Sequence, residues 1–150
     1  LDFCAGTRKH LSVTCKQCAR SGIVLQSMTI DANIVIAYLW GDPRVIETLL
    51  LWKEEGKPLF LSTVAETEVL SFSHWNAKER FETERFIEGT FTSISFDRTL
   101  ARIAAEIRRK AKIKFPDAAI AATAVFTRTP IVTRNERDFR RIPHLPLVIL

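Results

Sequence analysis

From Met28 onward, short apolar runs alternate with longer stretches of helical period, and this alternation restricts the chain to few architectures. Thr29-Ile30 reads as a buried strand end that passes through Asp31-Ala32-Asn33 into a helix with Ile34, Val35, Ala37, Tyr38 and Leu39. Gly41 breaks the pattern, Asp42 can cap, and Pro43 suits the first position of a second helix. Val45, Ile46, Leu49, Leu50 and Trp52 fall at helical spacing along it. Gly56-Lys57-Pro58 ends it, and Leu59-Phe60-Leu61 is a short buried strand. Ser62 or Thr63 can cap the following helix, which carries Val64, Val69 and Leu70. Asn76 to Gly89 reads as a charged helix with Phe81, Phe86 and Ile87 inward, and Phe91 to Phe96 as a strand. Asp97 caps a helix with Leu100, Ile103, Ala104 and Ile107 on one face, and Pro116 opens an alanine-rich helix. Ile131-Val132-Thr133 and Leu147 to Leu150 are the last strands.

Strands that alternate with helices imply a mostly parallel sheet covered on both faces. Right-handed crossovers gather the loops that follow the strands along one edge, where ligands of such sheets bind. Those positions are acidic here. Asp31 follows the first strand and Glu68 lies beyond the second, with Glu66 two residues before it. Asp117 sits at the mouth of the alanine-rich helix, and Asn135 and Asp138 follow Thr133. Carboxylates gathered in one place repel unless a cation or proton lies among them. Hard oxygen donors of this kind suit Mg²⁺ or Mn²⁺ and not zinc. Each position also has a plainer explanation: Asp31 and Asp97 can serve as helix caps, Asp117 can complement a helix dipole, and Glu68 can be an exposed helix residue. Asp97 fits the plainer one best.

Residues 1–27 differ from the rest. They carry Arg8, Lys9, Lys16 and Arg20 against Asp2 alone, and keep neither a helical nor a strand period. Met28 is the only methionine, so the natural protein is expected to start there, with 1–27 a disordered arm or an extension of the gene reading. All three cysteines, Cys4, Cys15 and Cys18, lie in this segment. An odd number at one end is not a disulfide framework. Cys15-Lys16-Gln17-Cys18 lacks the second pair that a structural zinc site requires. Residues 28–150 then form one domain, long enough to bury about 70% of the unfolded surface. No run approaches the roughly 18 apolar residues of a membrane span, and the N-terminal stretch has no apolar signal core, so a cytoplasmic location without membrane contact is expected.

Three blocks carry a likeness to a known family. They are Ile30-Asp31-Ala32-Asn33-Ile34, the run from Pro116 to Ala124, and Val132-Thr133-Arg134-Asn135-Glu136-Arg137-Asp138-Phe139. In this order and spacing they resemble the signature blocks of PIN domains, most closely the VapC-type toxin ribonucleases of toxin–antitoxin pairs. The resemblance spans Met28 to Leu150. It implies a three-layer α/β/α domain with a central, mostly parallel sheet. It further implies Mg²⁺- or Mn²⁺-dependent endonucleolytic cleavage of RNA, a homodimer, and inhibition by a cognate antitoxin protein. By position, Asp31 and Asp117 match the principal metal-binding aspartates, Glu68 the helical glutamate and Asp138 the fourth acid. Asn135 stands where some relatives are acidic, and Thr133 would be a polar wall of the site. Ala65 replaces a threonine frequent in the family three residues before the glutamate, which leaves Glu66 as an alternative to Glu68.

Basic residues suit an RNA substrate. Arg108, Arg109, Lys110, Lys112 and Lys114 precede Asp117, while Arg134, Arg137, Arg140 and Arg141 surround Asp138. Arg109, Lys112, Lys114, Arg134 and Arg137 are the expected phosphate contacts, although a solvated helix end would present the same charges. From Met28 on, 18 Lys and Arg nearly balance 16 Asp and Glu. Two other functions compete: an acid-site phosphohydrolase, and a PIN module without activity that binds RNA or protein. The first commonly needs a second aspartate two residues after its nucleophile, where this chain has Asn33. The four retained acids speak against the second. His10, His74 and His144 lie off the motifs, which gives no support to histidine acid–base chemistry.

Overall fold

A computed structural model describes residues 27–73 and 75–150. Residues 1–26, which hold the three cysteines and His10, and also His74, lie outside the described residues. Five short strands form one sheet: β1 (Met28–Ile30), β2 (Leu59–Ser62), β3 (Thr92–Ile94), β4 (Ile131–Thr133) and β5 (Leu147–Ile149). Their order is β3-β2-β1-β4-β5, and every neighbouring pair is parallel. Parallel neighbours require crossovers, and seven helices supply them: α1 (Ala32–Leu39), α2 (Pro43–Glu54), α3 (Thr63–Leu70), α4 (Ala77–Thr90), α5 (Arg98–Ala111), α6 (Phe115–Thr127) and α7 (Glu136–Phe139). The chain runs outward from β1 through β2 to β3, then returns to the other side of β1 for β4 and β5. Right-handed crossovers therefore place α1–α4 over one face and α5–α7 over the other, a three-layer sandwich.

The central strand shows why both faces are covered: Met28, Thr29 and Ile30 are all buried, as are Ile131, Val132 and Thr133 of β4. The helical core contributes Ile34, Val35, Val45, Leu49, Trp52, Val69, Leu100, Ala104 and Ile120. Small side chains let α6 lie close to the sheet, and Ala118 to Ala122 are fully enclosed. Thr29, at the centre of the sheet, has its hydroxyl met by Thr129 at 2.6 Å. Buried oxygen is thus paired with oxygen.

The caps follow the sequence closely. Asp42 accepts from the N–H groups of Arg44 and Val45, Ser62 from Val64, and Asp97 from Leu100. Asn76 and Glu79 form a reciprocal capping box. Two expectations need correction. Phe81 is 57% exposed and not inward. The buried stripe of α4 runs through Thr83 and Ile87, one turn apart, and Phe81 is two residues out of that register. Its ring carries the Arg85 guanidinium instead, 5.9 Å from the centroid. The strand expected over 91–96 is only Thr92–Ile94. As an edge strand it pairs on one side alone, and exposed Thr92 and Ser93 keep that edge polar.

Candidate acidic metal site

The sheet reverses its direction of growth at β1, so β1 and β4 are neighbours although 100 residues separate Thr29 from Thr129 just before β4. A crevice forms outside the carboxyl ends of two such strands. Asp31 leaves β1 at this point, its backbone N–H donating to Val132 O at 3.0 Å. It is the N-terminal boundary residue of α1, but its side chain makes no capping hydrogen bond. The backbone N–H groups of Ala32 and Asn33 still favour its charged form, so part of a cap's role stays with Asp31.

The Asp31 side chain is held from elsewhere. Thr133 Oγ1, at the end of β4, donates to Oδ2 at 2.6 Å, and Asn33 Nδ2 donates to the same oxygen at 2.7 Å. Asn33 also reaches Thr133 Oγ1 and accepts from the backbone N–H of Arg134 at 3.2 Å. Asp31 is only 4% exposed. Burial pushes its carboxyl up to about 6, with the Thr133 hydroxyl opposing the rise and Asp117 adding to it. No cation is among the groups that act on it. An ionised carboxylate so enclosed calls for a positive partner.

Glu68 and Asp117 are coupled to it, and Asp138 is coupled to Asp117. Glu68, on the last turns of α3, is raised by burial and then by the charges of Asp31 and Asp117. Asp117, in the first turn of α6, is raised by burial and by Asp138, while Asn135 and the Lys114 ammonium pull it down. Asn135 Nδ2 lies 3.1 Å from Asp138 Oδ2 and 3.4 Å from Asp117 Oδ1, and so spans the two. Its backbone N–H donates to Thr133 Oγ1 at 2.9 Å. Glu66 points elsewhere, accepting from Ser93 Oγ on β3 at 2.9 Å. Of the two glutamates, Glu68 is the one that faces the acids.

The donors are all carboxylate oxygens, the set that suits a hard divalent ion. Among the described residues no three acids, histidines or cysteines are grouped so that they could hold a metal ion together. Mg²⁺ commonly keeps several waters and takes only one or two carboxylates directly. A pair of carboxylates such as Asp31 and Asp117 would be enough for an ion held in that way.

The basic residues divide. Arg134 is engaged by Asp42 and Arg109 by Glu106, so both arrive with a partner. Lys112 is exposed in a left-handed conformation (φ 52) that ends α5, Lys114 is exposed beside Asp117, and Arg137 is exposed on α7. Reading the sequence missed Asn33 as a holder of Asp31. The signal was available, since an amide two residues after a strand-terminal aspartate is placed to grip it. The Asp42–Arg134 pair had no such signal, because 92 residues separate its members.

The parallel sheet and the acids at its reversal point define a doubly wound α/β domain. The family model for the PIN domain matches residues 28–145, and the chain belongs to that family. Comparison with curated protein sequences gives no match. Solved structures with the same fold include VapBC2 from Rickettsia felis bound to a DNA fragment from their promoter. It has a TM-score of 0.72 and 20% identity over 83% of this chain and 98% of that one. A toxin–antitoxin complex from Klebsiella pneumoniae has a TM-score of 0.67 and 29% identity, over 81% and 95%. PAE2754 from Pyrobaculum aerophilum reaches 0.59 at 14% identity, over 90% and 92%. No helix among the described residues is long and apolar enough to cross a membrane.

Proposed function

We propose that this chain is a Mg²⁺- or Mn²⁺-dependent endoribonuclease and the toxin of a toxin–antitoxin pair. One observation carries the reading: Asp31 is enclosed, raised to about 6, and surrounded by Glu68 and Asp117 with no side-chain cation to neutralise it. Asp31 and Asp117 would hold the ion, with Glu68 and Asp138 completing its surroundings directly or through water. The ion would supply an activated water and offset charge on the phosphoryl oxygens, so no protein nucleophile is needed. Thr133 and Asn33 fix Oδ2 of Asp31, and Asn135 keeps Asp117 and Asp138 in register. Lys112, Lys114 and Arg137 offer charge to phosphates on either side. Arg109 and Arg134 join them once an RNA phosphate competes with Glu106 and Asp42.

Membership of the PIN family and the toxin–antitoxin complex from Klebsiella pneumoniae support an antitoxin as partner. A homodimer and a cytoplasmic location belong to the same reading. The experiment is incubation of purified protein with structured RNA and with p-nitrophenyl phosphate, with Mg²⁺ or Mn²⁺ and then with EDTA. RNA cleavage that requires metal and vanishes in Asp31→Asn is the expected result. Hydrolysis of the small ester alone would replace the reading with a phosphohydrolase, and RNA binding without cleavage with an inactive module.

A further inference from the structure

We propose that Phe115 is a stacking face for a nucleobase of single-stranded RNA lying next to the phosphate at the acidic centre. This rests on the ribonuclease reading above. Phe115 is the first residue of α6, two positions before Asp117, and is 45% exposed. Its ring meets Phe96 edge to face, with centroids 5.5 Å apart and planes at 90°. Phe96 is itself held, because its backbone N–H donates to Thr63 Oγ1 at 3.0 Å beside the carboxyl end of β2. The Phe115 ring is therefore steadied by Phe96 while almost half of the residue stays exposed to solvent.

A single exposed aromatic is ordinary on a protein surface. Phe126, at the far end of α6, is more exposed still, with Arg128 nearby in the chain but none of the four acids. Phe115 differs in its surroundings. Lys114 precedes it and acts on Asp117. An open hollow of about 550 Å³, lined by Ala105, Arg108, Arg109, Lys112 and Ile113, lies at the turn that leads into it. Aromatic faces flanked by cations are what holds single-stranded nucleic acid, the ring taking a base and the cations taking the backbone. A base in a duplex is already stacked and cannot use the ring, so the site selects unpaired segments.

The test measures binding of a fluorescent single-stranded RNA oligomer to the full chain in EDTA, and its cleavage in Mg²⁺. Phe115→Ala and Phe115→Leu are each expected to weaken binding by about 5- to 150-fold, whereas Phe115→Trp keeps it. The same oligomer made abasic at each position in turn should show one position where wild type loses that factor and Phe115→Leu loses nothing further. This non-additivity is a result that a merely structural role would not give. Wild-type binding by Phe115→Leu, or losses that simply multiply, would overturn the stacking assignment while leaving the nuclease intact. Wild type that neither binds nor cleaves RNA would remove both readings together.

Discussion

Replacing Asp31 with Asn should stabilise the protein at alkaline pH while abolishing its activity. Burial moves the Asp31 carboxyl from 3.8 to about 6, roughly two pKa units. At about 1.4 kcal/mol per unit, the ionised group costs the fold ~3 kcal/mol. The folded state holds this proton more tightly than the unfolded chain. Its contribution is thus fully present below pH 4 and is lost as pH rises through 6. Glu68 and Asp117 are raised too and act in the same direction. Asn keeps an acceptor for Thr133 and Asn33, but those bonds lose their charge assistance, a loss of about 1 kcal/mol. The net gain at pH 8 is about 2 kcal/mol, or roughly 4–8 °C in Tm for a domain of this size. Thermal scans followed by circular dichroism at pH 4 and pH 8, in EDTA, read it directly. Mg²⁺ at pH 8 should then raise the wild-type Tm and leave the variant unmoved. A variant no more stable than wild type at pH 8, or a gap that does not close at pH 4, would refute the reasoning.

Two other substitutions test how the crevice is framed. Thr133→Val removes the hydroxyl that donates to Asp31 Oδ2 and accepts from Asn33 and Asn135; a loss of about 1–3 kcal/mol in urea unfolding is expected, with Thr133→Ser close to wild type. Asp42→Ala strips the cap of α2 together with the partner of Arg134, and should lower the urea midpoint, whereas Asp42→Asn, which keeps the cap, should recover most of that loss in the same measurement.

Much of the scaffold was legible because its signals are local. Asp42-Pro43, Ser62, Asn76 with Glu79, and Asp97 all mark helix starts within four residues of the groups they bond. The alternation of apolar runs and helical periods was enough to imply a parallel sheet, since no short loop can join parallel neighbours. The three blocks around Asp31, Asp117 and Asp138 carried the family. What escaped depends on registers between distant segments. Phe81 was assigned inward by its type, but the stripe through Thr83 and Ile87 decides which side of α4 is covered. Glu66 and Glu68 could not be told apart until Ser93 on β3 was seen to engage Glu66. Arg134 looked free for phosphate because nothing nearby in the chain announces Asp42.

The neighbourhood of β1 and β4 also sets when the acidic centre can assemble during synthesis. Asp31 emerges early, yet the hydroxyl that grips it belongs to Thr133, and the strand carrying Thr133 docks only after α5 and α6 have been made. A nascent chain stopped before β4 already holds Asp31, Glu68 and Asp117 but lacks the Thr133 hydroxyl that grips Asp31. The centre thus has no complete frame until most of the domain has been translated.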